Sequence, residues 1–183
     1  MKVYLDTGVF VDYLIYRGHV GHFLRKRGRR NRTVQQLHLD VSECLDKIGK
    51  AHYGFTSCLT IYEAEEALFA HLMKSSKGIK NGKKFAVISS RSIGTQILVI
   101  KNYFKLQIVD LSEDIIQKEL TETDLQVRGI RAGDSLHVAT AILNNADMII
   151  TTDYHLLALN GAFQNDAGKS IQCVDTNDAR HLL

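Results

Sequence analysis

Residues 131–153, RAGDSLHVATAILNNADMIITTD, constrain the fold of this chain more than any other stretch. Behind a Gly-Asp pair, Leu136, Val138, Ala139, Ala141, Ile142 and Leu143 fill an amphipathic pattern, which predicts a helix opening at Asp134. Asn144-Asn145-Ala146-Asp147 breaks that pattern, and Met148, Ile149 and Ile150 then run apolar into Thr151-Thr152-Asp153 as a buried strand. A short connection favours a strand antiparallel to the helix, so the strand's end returns beside the helix start and Asp153 approaches Asp134. Two carboxylates brought together where the backbone turns are the beginnings of a cation site.

Further acids stand at comparable places earlier in the chain. Residues 2–6 form a short strand with Val3 and Leu5 on one face, and Asp6-Thr7-Gly8 turns it into an apolar helix over 9–16. A strand ending in Asp at such a turn places the carboxylate on the sheet's C-terminal edge, where open α/β sheets bind ligands. The same position also suits a helix N-cap. A helical stripe of Val34, Leu37, Val41, Cys44, Leu45 and Ile48 follows, ended by Gly49 or Gly54, and residues 54–57 make a second strand. The next helix begins near Thr60. Thr60-x-x-Glu63 has the form of a capping box, while the functional alternative turns the Glu63 carboxylate back over the sheet edge. Glu65 and Glu66 point to other faces and are taken as solvated.

Residues 74–84, KSSKGIKNGKK, predict a mobile basic loop. A long helix over 85–103 follows, with Val87, Ile88, Ile93, Ile97, Leu98 and Ile100 as packing candidates. A third strand spans 106–111, and Ser112 caps an acid-started helix over 113–125. Asp110 ends a strand but has no motif around it, which leaves it an outer candidate. A short helix over 153–159, a polar loop, a last strand over 171–174 and a tail complete the chain. This order predicts an α/β class fold, a three-layer α/β/α sandwich with a short, mainly parallel sheet. At 183 residues, 45% of them hydrophobic, the chain suits a single domain over 1–183. No apolar run resembles a signal peptide or a membrane span, so a cytoplasmic protein without a membrane partner is expected. Cys44, Cys58 and Cys173 are widely spaced and are taken as reduced core thiols.

The net charge of +3 conceals an asymmetry. Residues 17–32 hold seven basic side chains (Arg17, Arg25, Lys26, Arg27, Arg29, Arg30, Arg32) and no acid. Residues 67–109 hold eight (Lys74, Lys77, Lys80, Lys83, Lys84, Arg91, Lys101, Lys105), again with none. From Asp110 onward acids outnumber Lys and Arg twelve to five. A polyanion held by the basic part and a metal by the acidic part would account for this division, as would ordinary solvated loops and helix faces.

In the predicted sandwich Asp6, Glu63 and Asp153 lie at or just past strand ends, and Asp134 opens the helix facing them. Four carboxylates at one sheet edge repel unless a cation neutralises them. An all-oxygen set calls for Mg²⁺ or Mn²⁺, one or two ions, rather than Zn²⁺, because no Cys or His pattern accompanies the acids. His19 and His22 are taken as surface residues. His137, one helical turn after Asp134, and His155, two residues after Asp153, are taken as packing or exposed side chains within reach of a substrate.

The segments VYLDTGVFVDYL, FTSCLTIYEAEEAL, GDSLHVATAI and MIITTDYHLL, in that order, resemble the PIN domains, a family of metal-dependent ribonucleases that includes the VapC-type toxins. By that resemblance Asp6, Glu63, Asp134 and Asp153 match the family's acidic quartet as metal ligands and catalytic groups, and Thr151 its accessory hydroxyl. It implies an endoribonuclease dependent on Mg²⁺ or Mn²⁺, with the toxin role in a toxin-antitoxin pair, an antitoxin partner and a homodimer as further expectations. RNA would be held by Arg25, Lys26, Arg27, Arg29, Arg30, Arg32, Lys80, Lys83 and Lys84. An RNA- or partner-binding PIN-like module without catalysis is the alternative. Two features depart from the family: Gly8 stands where Asn or Ser is common, and basic helical or loop insertions fall around 17–50 and 74–105.

Overall fold

The computed structural model describes residues 1–15 and 28–183. The expectations for Arg17, His19, His22, Arg25, Lys26 and Arg27 lie outside the described residues. Strands β1 (Lys2–Leu5), β2 (Tyr53–Ser57), β3 (Gln107–Val109), β4 (Met148–Ile150) and β5 (Gln172–Val174) form one sheet in the order β3-β2-β1-β4-β5. All four neighbouring pairs are parallel. The chain adds β2 and β3 on one side of β1 and then crosses to add β4 and β5 on the other. The gap between the ends of β1 and β4 is therefore the switch point of an open α/β sheet, the place where such sheets offer a crevice.

Period-two alternation divides the strand residues between two apolar layers. Val3, Leu5, Met148, Ile150 and Val174 face α1 (Thr7–Leu14), α2 (Val34–Ala51), α3 (Leu59–Ser75), α4 (Gly82–Tyr103) and α9 (Thr176–Leu182). Tyr4, Phe55, Ile149 and Cys173 face the other layer, supplied by α6 (Thr123–Val127), α7 (Ala132–Leu143) and α8 (Tyr154–Leu157). Strands covered on both faces are the rule for parallel sheets and explain why MII and QCV run apolar instead of alternating. The predicted α/β/α sandwich is thus the observed architecture, with a sheet that is wholly parallel.

Several local expectations need correction. The α2 stripe continues through Gly49 to Ala51, because a glycine there lets the backbone of Phe104 pass; a Cβ would come within 2.9 Å of its carbonyl oxygen. Residues 74–84 are not one loop. Helix α3 reaches Ser75 and α4 starts at Gly82, and between them Ile79 N donates to Ser76 O and Gly82 N to Ile79 O as two tight turns. On α4 the buried stripe is Ala86, Ser90, Ile93, Ile97 and Ile100, which leaves Ile88 and Leu98 exposed. The helix over 113–125 breaks at Glu122 into α5 (Glu113–Thr121) and α6, although Ser112 caps it as expected. The tail is α9, packed on α2, with the Cys44 thiol directed at Thr176 O over 3.2 Å. All three cysteines are free, Cys44 and Cys173 in the core as expected but Cys58 only half-buried at the start of α3, and among the described residues no helix is long and apolar enough to cross a membrane.

Candidate metal centre

Strand register brings the first two components together. Leu5 pairs with Ile150, so Asp6 and Thr151 are the next residues on adjacent strands. Thr151 Oγ1 donates to Asp6 Oδ2 over 2.7 Å and accepts from the Asp153 amide over 3.0 Å. One hydroxyl thus ties the carboxylate ending β1 to the backbone of the acid following β4. Asp6 occupies the N-cap position of α1, but its side chain makes no capping bond, so the carboxylate does not serve the helix. Asp153 does cap its helix, Oδ1 accepting from the His155 and Leu156 amides at 2.6 and 3.3 Å at the start of α8.

Glu63 arrives from α3. No capping box forms: α3 begins at Leu59, and Thr60 lies inside it with its hydroxyl on Thr56 at 2.8 Å. Glu63 is then in the second turn and reaches back over the sheet edge, where Thr7 donates to Oε2 and His137 Nε2 lies 2.8 Å from the same oxygen. His137, expected as a packing or exposed side chain, is a buried packing residue that also joins this cluster. It is 1% exposed, its Nε2 is 3.8 Å from Asp6 Oδ1, and its Nδ1 is 2.5 Å from the hydroxyl of fully buried Tyr4. The signal was present in the three-residue spacing from Asp134, which puts both side chains on one helix face. His155, by contrast, is exposed.

The titration behaviour follows from this crowding. Burial, then the charges of Asp153 and Asp6, raise Asp134 above the ordinary carboxylate range; Glu63 adds to this and His137 opposes it. For Glu63 burial works upward, but the hydrogen bond and charge of His137 and the bond from Thr7 outweigh it, and the net shift is downward. For His137 burial favours the neutral ring, yet the bond to Glu63 and the fields of Asp6, Glu63 and Asp134 prevail and raise it. Burial, followed by the field of Asp6, keeps Tyr4 well above the usual phenol range and hence protonated.

The donor chemistry suits a divalent cation. Asp6, Glu63 and His137 each offer one ligand atom, all within 4.8 Å of one another. The first turn of α7 carries Gly133 beside them, where an added Cβ would stand 3.1 Å from Glu63 Oε1, so the wall next to that oxygen is kept clear. At Gly8 the departure from the family pattern has a counterpart: an added Cβ would lie 1.9 Å from Thr152 Oγ1, so the Thr152 side chain fills the space.

The basic candidates divide in two. Arg29 pairs with Asp12 at 2.5 Å and Asp175 at 2.6 Å, Arg30 with Asp175 at 2.8 Å, and Arg32 with Asp40. Asp12, Asp40 and Asp175 are buried, so Arg29 and Arg32 fasten the segment before α2 to the fold. Lys80, Lys83 and Lys84 are exposed around the α3–α4 turn. Ser75 lies twelve residues beyond Glu63, roughly 18 Å along the axis of α3 at about 1.5 Å per residue.

No family model matches the chain, and no curated protein does. Comparison of folds finds a chain in the crystal structure of VapBC2 from Rickettsia felis bound to a DNA fragment from their promoter, at a TM-score of 0.50 and 16% identity, covering 94% of this chain and 98% of that one. This chain shares that fold.

Proposed function

We propose that this protein is a divalent-metal-dependent ribonuclease, the toxin of a toxin-antitoxin pair. The observation that carries the reading is the meeting of Asp6, Glu63 and His137 at the β1–β4 switch point, with Asp134 and Asp153 close enough to act electrostatically on one another. The fold shared with a VapBC2 chain supports it. Asp6, Glu63, Asp134 and Asp153 would hold Mg²⁺ or Mn²⁺. Such an ion, when bound, lowers the pKa of a water and stabilises charge on a scissile phosphate. Within this site Thr151 fixes the Asp6 carboxylate, and Thr7 and His137 fix that of Glu63, so the acids are oriented before an ion arrives. Asp134 stands in the field of Asp153, Asp6 and Glu63, a repulsion that a bound cation would relieve. Lys80, Lys83 and Lys84 would bind phosphates well away from the cleavage point, which favours a substrate long enough to span both.

A second reading, a binding module without catalysis, is favoured by one observation: Thr7 and His137 satisfy Glu63 within the protein. Matched RNA and DNA oligonucleotides, incubated with purified protein and Mn²⁺, separate the two. The nuclease reading expects cleavage of RNA over DNA that EDTA abolishes. Binding without turnover, indifferent to EDTA, supports the module and overturns it.

A further inference from the structure

Resting on the metal-site reading, we propose that His137 is itself a metal ligand through Nε2, so that the site takes a first-row transition ion such as Mn²⁺ in preference to Mg²⁺. The all-oxygen set expected from the acids alone does not describe what the fold assembles. Nε2 lies 2.8 Å from Glu63 Oε2 and 3.8 Å from Asp6 Oδ1, whereas Asp153 turns Oδ1 to the amides of α8. The imidazole therefore stands nearer the two central carboxylates than a surface histidine could.

Its orientation is fixed in the manner of a ligating histidine. Such residues characteristically donate the non-ligating ring N–H to an oxygen behind them, which sets the tautomer and aims the lone pair. Tyr4 Oη, 2.5 Å from Nδ1, is that oxygen, and Tyr4 is itself fully buried in β1. In the metal-free protein Nε2 bonds Glu63 through its proton; an entering cation would displace that proton, and with Nδ1–H directed at Tyr4 the freed Nε2 lone pair would face Asp6 and Glu63. Asp6 directly follows β1, Glu63 is in the second turn of α3 and His137 in the second turn of α7, so all three donors come from rigid elements. A nitrogen donor alters selectivity: Mg²⁺ takes oxygens and keeps its waters, whereas first-row transition ions accept imidazole, Mn²⁺ least strongly of them but with the carboxylate preference that two acids beside one histidine call for.

The test is metal binding by the full chain, without substrate. Metal-free protein is titrated with Mn²⁺ and separately with Mg²⁺ by calorimetry, and the Mn²⁺ complex is examined by electron spin-echo envelope modulation. Expected are ¹⁴N coupling from a directly bound imidazole, tighter binding of Mn²⁺ than of Mg²⁺, and loss of the coupling in His137→Gln. Tyr4→Phe, which leaves the ring in place, should keep the coupling while weakening Mn²⁺ binding about tenfold, the effect of losing a partner behind a ligand. Bound Mn²⁺ without ¹⁴N coupling, or coupling that survives in folded His137→Gln, overturns ligation by His137 and leaves an oxygen-bound metal site standing. Absence of any Mn²⁺ binding overturns both.

Discussion

Thr151 Oγ1 donates to Asp6 Oδ2 over 2.7 Å, joining the ends of two adjacent parallel strands through a fully buried hydroxyl. In Thr151→Val the shape is kept and the bond lost, leaving a buried carboxylate oxygen without its donor. Unfolding in denaturant should show a loss of about 1.5–3 kcal/mol, the usual range for a hydrogen bond to a charged group. Mn²⁺ affinity should fall as well, because the Asp6 rotamer is no longer held.

Gly8→Ala tests the close approach of α1 to the segment after β4. The new Cβ meets not only Thr152 Oγ1 but Cγ2 at 2.8 Å and Cβ at 2.9 Å, so rotating the side chain does not relieve it. A cost of about 1–3 kcal/mol is expected, as for an overpacked site. Thr152→Gly in the same chain should recover much of it, which a comparison of the two single variants with the double variant measures.

Asp134→Asn should separate stability from activity. The carboxylate is held near Asp153, Asp6 and Glu63 and resists ionisation, so in metal-free protein at neutral pH the neutral amide is expected to raise Tm. Saturating Mn²⁺ should raise Tm of the wild type by more than that of the variant, since a ligand that binds only the folded state stabilises in proportion to its affinity.

The pH dependence of metal-free stability has a definite sign. His137 is raised in the folded state, so its contribution is complete below the unfolded histidine value, about 6.5, and is lost as pH rises through the folded value. Asp134, also raised, acts in the same direction at lower pH. The lowered Glu63 opposes both, its contribution being lost as pH falls through its folded value. Denaturation midpoints should therefore decline above about pH 6.5, and that decline should be absent in His137→Gln.

Much of this was legible in the sequence, for identifiable reasons. Strand ends at Asp6 and Thr151 and the helix opening near Asp134 follow from abrupt changes of hydrophobic period, which are local. Glu63 was legible as a candidate only because a strand preceded its helix; its capping-box alternative failed when α3 began before Thr60. The contact of His137 with Tyr4 was not legible because it joins residues 133 positions apart, one on the strand face opposite Val3 and Leu5, and no local pattern encodes it. The arginines at 29, 30 and 32 look like a polyanion site in sequence, since their acidic partners Asp12, Asp40 and Asp175 are distributed over two helices and a strand end.

Cleavage of single-stranded RNA by Asp6→Asn is the most direct test of the central claim. Wild type and variant, purified identically and matched in Tm, are compared at saturating Mn²⁺ with and without EDTA. The expected result is EDTA-sensitive cleavage by the wild type and a reduction in the variant beyond the roughly 10- to 100-fold that losing a group behind a metal ligand costs. Equal cleavage by Asp6→Asn would contradict a metal-dependent nuclease built on this site.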